Sequence, residues 1–328
     1  MKQDIQLEAY ASEFVLKQPF QSASSEVKRK TELVIAGRDP ATGDLIYAME
    51  MPLSPSSGES VQNVLNALKN VSAPPSPSVL RFISYLNGLC HKGSWASLSN
   101  LKSRSERNAI DLATFDTKSI LHVPPDFNGI AKLKGSPNNI PTLIRAINKY
   151  SCSFIVDFNG SLTCNQYENF AQSVDIDNII GVEQPTQQFA EGVNFDLPLI
   201  ADSFLTTHGY SKIVAAGYKG FVFKPFLNGF DALKICIENP DGLWGIVGTN
   251  ISGPIDISLV RWINDFMPIK LTKSNASFYK DHPLNDVNEP LHIMTDEGLI
   301  MSPLVDAYLK EYAALRATRV FEGCVNDT

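Results

Sequence analysis

From about residue 117 onward the chain consists of short apolar runs separated by stretches long enough to hold a helix, and this repetition constrains the fold more than any other feature. The runs are 119–123, 129–134, 154–157, 179–183, 197–202, 220–224 and 243–248. Amphipathic segments at 140–150, 166–174 and 229–238 lie between them. Strands that alternate with helices of this length build βαβ units and a parallel sheet. Seven units without a glycine-rich nucleotide turn favour a closed barrel over an open doubly wound sheet. The expected fold class is therefore α/β, a (β/α)7β barrel of the TIM type.

The first hundred residues have a different texture. Runs at 31–37 and 45–49 flank a turn cluster at 39–44, which reads as a hairpin, and 59–70 reads as a helix. Two Pro/Ser stretches, 52–57 and 72–78, are expected to be loops, because proline cannot continue a helix. The basic cluster Lys28-Arg29-Lys30 reads as a solvated strand end. The expected division is an α+β capping domain over 1–100, a barrel over 101–290 and a C-terminal return to the cap over 291–328.

Composition excludes several classes of function. At 44% hydrophobic and 19% charged residues, the 328-residue chain can bury a large core. A net charge of -7 provides no positive field for phosphate backbones or anionic lipid, so neither nucleic acid nor membrane is an expected partner. Five cysteines without a C-x-x-C pair read as reduced and structural. The N-terminus carries acids where a signal peptide needs an apolar stretch, which points to the cytoplasm.

The placement of charge inside the apolar runs carries the chemistry. Lys134, Asp157, Glu183, Asp202 and Lys224 each stand at or beside the C-terminal end of an expected strand, at separations of 23, 26, 19 and 22 residues. That is one βα unit per step, and in a parallel barrel the C-terminal strand ends converge on one mouth. Three carboxylates with no His or Cys in the pattern suit Mg²⁺ rather than Zn²⁺. Lys132 and Lys134 are two apart on a strand and share a face, so crowding should lower the pKa of one towards that of a useful base. Lys224 arrives from the opposite side. This layout suits removal of a proton from the carbon next to a carboxylate, with the metal stabilising the developing enediolate.

These residues resemble motifs of the enolase superfamily, and within it the o-succinylbenzoate synthases of menaquinone biosynthesis. The matches are Lys132-Leu133-Lys134 for K-x-K, Asp157-Phe158-Asn159 for D-x-N, Glu183-Gln184-Pro185 for E-Q-P, Asp202-Ser203 for the third ligand, and Lys224-Pro225 for K-P. The resemblance spans nearly the whole chain, with the return to the cap around 291–304. It implies that Asp157, Glu183 and Asp202 ligate Mg²⁺. Lys134 would then remove the α-proton of 2-succinyl-6-hydroxy-2,4-cyclohexadiene-1-carboxylate and protonate the departing hydroxyl on the same face, a syn-dehydration. By the same resemblance, Lys224 is a cation beside the ring, Lys132 depresses the pKa of Lys134, and Asn159 supports the metal shell. Ser252 and Gly253 would hold the succinyl carboxylate. A capping loop at Lys17-Gln18-Pro19-Phe20 would close over the substrate.

Some positions depart from the pattern. Ile155 replaces an arginine seen in some synthases, Ser203 and Phe204 follow Asp202 where D-E-S is common, and Gly248-Thr249-Asn250 lacks a frequent acid. The alternative within the superfamily is racemisation of N-succinylamino acids or epimerisation of dipeptides by the two opposed lysines. The D-x-D usual in dipeptide epimerases has no counterpart near 275–279. A non-catalytic barrel that binds a small acid is a remote alternative. The histidines (His91, His122, His208, His282, His292) show no ligand spacing and read as surface or loop residues.

Overall fold

A computed structural model describes residues 5–21, 26–51, 59–70, 72, 74–90, 110–115, 127, 129–189, 197–249, 252–264, 267, 269–271, 279–287, 289–295, 298–312 and 315–321. The expected hairpin forms from β2 (Glu26–Arg38) and β3 (Leu45–Met51), but it is part of a larger sheet. A long strand, β1 (Ile5–Gln21), pairs antiparallel with β2 along most of its length. Helix α1 (Val61–Lys69) occupies the expected segment, capped by the Ser60 side chain on the Asn63 N–H. The described residues of the second Pro/Ser stretch are non-helical as far as Ser76, and Pro77 then opens α2 (Pro77–Cys90), at a helix start where a missing N–H removes no intrahelical bond; the first stretch, 52–57, lies outside the described residues.

Eight strands then close a parallel barrel: β4 (Ile110–Phe115), β5 (Ile130–Lys134), β6 (Ser153–Asp157), β7 (Ile179–Glu183), β8 (Leu199–Ala201), β9 (Gly220–Phe223), β10 (Trp244–Val247) and β11 (Ile269–Leu271). Each pairs with its neighbour in sequence, and β11 pairs with β4 to complete the ring. The expected first run, 119–123, lies outside the described residues, and the strand beside β5 is β4 instead. The helices are α3 (Ile140–Ile147), α4 (Cys164–Ala171), α5 (Ser203–His208), α6 (Tyr210–Ala215), α7 (Pro225–Glu238) and α8 (Pro254–Asn264). After the barrel come a small hairpin, β12 (His292–Thr295) with β13 (Gly298–Met301), helix α9 (Pro303–Tyr312) and β14 (Leu315–Phe321). The last strand returns to the first sheet, whose order is β14-β1-β2-β3. That sheet and the closed barrel make the fold an α/β barrel with a separate antiparallel sheet.

Inside the barrel, Ile130, Ile155, Ile200, Val222 and Ile246 form an apolar cluster separate from the main core. Burying each such side chain fully is worth roughly 1.5–3 kcal/mol. Gly181 sits in the same layer, where an added Cβ would meet Ile200 Cδ1 at 2.6 Å. Ile155, the position where some synthases carry arginine, is thus part of the apolar floor and fully buried. Among the described residues, no helix is long and apolar enough to cross a membrane.

Candidate active site

Strand periodicity turns the apolar floor into a polar mouth. Residues two apart on a strand share a face, so Lys132, Asp157, Glu183, Asp202 and Lys224 stand one pleat above Ile130, Ile155, Gly181, Ile200 and Val222. Lys134 is one pleat higher, and its side chain is 46% exposed against 12% for Lys132. Register places Lys134 beside Asp157 and Asp157 beside Glu183. Going round the ring, β5 and β9 are four strands apart in either direction. Lys134 and Lys224 therefore come from opposite sides, with the carboxylates on the three strand ends between them.

The side chains meet. Lys134 Nζ lies 2.5 Å from Asp157 Oδ2, and Lys132 Nζ lies 2.5 Å from Glu183 Oε2 and 3.2 Å from Asp157 Oδ2. Across the mouth, Lys224 Nζ lies 2.6 and 2.8 Å from the two oxygens of Asp202. Burial opposes the charge on Lys132, but Asp157 and Glu183 outweigh it and hold its pKa above the ordinary lysine value. Burial likewise acts to raise Asp157, yet Lys132 and Lys134 keep it well below the usual carboxylate range. For Glu183, burial and then the Asp157 charge win over Lys132, and its pKa is pushed up to about 7.

This arc fits a hard divalent cation. Its donors are three carboxylates, the type such ions prefer. Burial is the largest cause of the raised pKa of Glu183, with the Asp157 charge next, so this buried carboxylate is one that a bound cation would stabilise in its charged form. Asp202 Oδ1 is buried and close to Lys224, yet lacks a hydrogen bond of good geometry. The carboxylates are turned to the lysines, and among the described residues no three His, Cys, Asp or Glu side chains already encircle one point.

The remaining expected site residues divide. Asn159 joins the arc, donating through both its backbone N–H (3.0 Å) and its amide to Asp157 Oδ1. Ser252 is fully buried and accepts from Thr249, while the Gly253 N–H donates to Glu50 at 2.6 and 2.7 Å. In this arrangement that N–H already has a carboxylate, supplied by the chain itself. Lys17, Pro19 and Phe20 belong to β1 rather than to a loop, since pairing with β2 resumes at Phe20 opposite Val27. Lys17 is exposed, and the side chains of Pro19 and Phe20 lie outside the description. Of the departures, Gly248 approaches the stem of Lys224 and Asn250 is not among the described residues.

Sequence reasoning missed a buried polar cluster where β2 and β3 meet the start of α8. Glu50 and Asp256 are buried with Glu32, whose carboxylate meets His282 Nε2 at 3.1 Å and accepts from Tyr308. Burial, then the charges of Glu32 and Asp256, raise Glu50 well above the usual range, and burial lifts Asp256 to about 6. Lys30 is drawn towards the three acids, its pKa lowered by burial, so only Lys28 and Arg29 of the basic cluster are at the surface. His282 and His292 are interior rather than surface residues, and burial pushes His292 down to about 3. His208 stacks on Phe189, and His91 and His122 lie outside the described residues. One signal was present in the strand: Glu50 follows a run of five apolar residues, 45–49, and is itself followed by Met51, so it interrupts an apolar stretch. Cys152, Cys164 and Cys236 are free thiols.

No protein-family model matches the chain, and no curated protein matches its sequence. Solved structures match its fold over nearly the whole length. The N-succinyl Arg/Lys racemase from Bacillus cereus aligns with a TM-score of 0.61 at 14% identity, covering 97% of this chain and 100% of that one. A member of the enolase superfamily from Listeria innocua gives 0.63 at 14%, covering 97% and 98%. A dipeptide epimerase from Cytophaga hutchinsonii, solved with Mg and the dipeptide D-Ala-L-Val, gives 0.60 at 13%, covering 97% and 99%. The chain has the fold of these proteins, a barrel with a capping domain.

Proposed function

We propose that this chain is an enolase-superfamily enzyme that takes a proton from the carbon next to a substrate carboxylate, and that it uses this step to dehydrate 2-succinyl-6-hydroxy-2,4-cyclohexadiene-1-carboxylate to o-succinylbenzoate. The observation that carries the reading is the arrangement of two lysines on opposite strands with three carboxylates on the strand ends between them. Asp157, Glu183 and Asp202 would hold Mg²⁺, which when bound supplies positive charge where the substrate carboxylate becomes more negative. Lys132 is unsuited to be the base, because its neighbours keep it protonated. Lys134, more exposed and at the outer pleat, is the group that accepts the α-proton and returns it to the leaving hydroxyl on the same face. Lys224 remains a cation on the other side, and the apolar floor beneath excludes water from below. What supports dehydration as the reaction is the resemblance of the K-x-K, D-x-N, E-Q-P and K-P motifs to those of the o-succinylbenzoate synthases.

A second reading is favoured by the opposed lysines themselves. Two bases on opposite faces of one carbon suit racemisation or epimerisation, the activities named for the structural neighbours from B. cereus and C. hutchinsonii. Loss of the diene absorbance with the cyclohexadiene substrate, set against deuterium uptake from D₂O into N-succinylamino acids, separates the two. Lys134→Ala is expected to lower dehydration by about 10²–10⁴-fold with the fold intact. Full activity in that variant, or after chelation of divalent ions, would refute the assignment. Deuterium exchange that outpaces dehydration would shift it to the second reading.

A further inference from the structure

Three non-glycine residues among those described have positive φ: Asn159 (49°), Gln184 (39°) and Asn239 (39°). Asn239 ends α7, where a left-handed residue is ordinary. The other two follow strand-end carboxylates. For glutamine, which lacks the local tolerance of asparagine, this region is disfavoured, and Pro185 restricts the same backbone further. Such a conformation persists only where the surroundings hold it.

Four hydrogen bonds do so. The Gln184 N–H donates to the Ile200 carbonyl (3.0 Å), and the Gln184 carbonyl accepts from the Gly160 N–H (2.6 Å). The side-chain Oε1 accepts from the Ser203 N–H (2.7 Å) and from the Ser203 hydroxyl (2.8 Å). Gly160 lies three residues beyond Asp157, Ser203 follows Asp202, and Gln184 follows Glu183. One residue thus ties together the chain segments that carry all three carboxylates. Asp202 itself has φ −102° and ψ −94°, outside both the helical and the strand wells, so its backbone depends on what grips the next residue.

We infer that Gln184 is a positioning residue: by holding Ser203 it fixes where Asp202 stands relative to Glu183, and so sets how tightly the carboxylate arc binds a divalent cation. This rests on the cation reading of the site given above. A purely structural role, as the cap of a short helix, would change thermal stability and leave cation affinity alone.

The test uses the full chain and Mn²⁺, with free ion followed by its paramagnetic resonance signal and folding by circular dichroism. Gln184→Met keeps the length and removes the acceptor, and is expected to weaken Mn²⁺ binding about 10–100-fold, the usual cost of losing support behind a metal ligand. Ser203→Ala removes one of the two donors and is expected to cost about fivefold. The double variant should bind no more weakly than Gln184→Met, because both changes cut the same link. Unchanged affinity in Gln184→Met, or additive losses in the double variant, overturns the inference. If Gln184→Met does not fold, the partly exposed Ser203→Ala carries the test alone, and an unchanged affinity there overturns it. Asp202→Asn separates the two levels. If the parent binds no Mn²⁺, or if Asp202→Asn binds as well as the parent, the cation reading itself has failed.

Discussion

Replacing Glu50 tests whether a neutral carboxyl joins the first sheet to the barrel. Its two oxygens receive the Gly253 N–H at 2.6 and 2.7 Å, and one receives the Tyr279 hydroxyl at 3.1 Å, all buried. Glu50→Ala strands three buried donors, these two and the Asp256 N–H at 3.4 Å, at about 1–3 kcal/mol each, so a loss of roughly 3–9 kcal/mol is expected. Glu50→Gln is more telling, because it retains a carbonyl for Gly253 and removes the titrating proton. Burial first, then Glu32 and Asp256, raise Glu50 well above its ordinary 4.5, while Lys30 and the Gly253 N–H pull it down. An acid with a raised folded pKa keeps its proton in the native state where the unfolded chain has lost it. Its contribution is therefore full below about pH 4.5 and is lost as pH rises through the folded value, with a slope of up to about 1.4 kcal/mol per pH unit. Urea denaturation of parent and Glu50→Gln from pH 5 upward reads this directly. The stability of the variant relative to the parent should climb with pH. Parallel curves would mean that Glu50 is ionised throughout, and the account of the cluster as a set of acids sharing too little positive charge would be wrong.

Two further predictions concern the barrel. Because Glu183 titrates at about 7, its proton competes with a cation below that value, so Mn²⁺ affinity should fall about tenfold per pH unit as pH drops, and a flat profile would refute the shift. Gly181→Ala pushes a Cβ to within 2.6 Å of Ile200 Cδ1, so it should cost about 1–3 kcal/mol in chemical denaturation, and Ile200→Val should recover part of the loss. No recovery would place the strain elsewhere.

Strands β5 to β9 and the mouth were legible because their pattern is stated locally: a floor position, a charge two positions on, a helix-length gap; β4 and β11 were not among the expected runs. Ile155 and Asp157, or Val222 and Lys224, are enough to show it. The first sheet was less legible. In β1 the residues Leu7, Glu8, Ala9, Tyr10 and Ala11 are all buried, so the alternation that announces a half-exposed strand is absent. The polar members of that run are satisfied from far along the chain, Glu8 by Arg38, which also binds Asp306. Helix α2 was hidden because proline marks a helix start as readily as a loop. The strand around Glu50 hints at its burial, but the partners of Glu50 and Gln184 could not be read, since they lie 203 and 19 residues away.

The pairing of β1 with β14 sets a schedule for synthesis. Ile5 lies opposite Phe321, so the strand that leaves the ribosome early waits, with one edge unpaired, until the barrel and everything after it has been made. An open edge of that length is a template for pairing with other chains. Early pairing with β2 protects the opposite edge only. That sheet is therefore completed last, and a nascent chain stalled within the barrel would leave this edge of β1 unpaired.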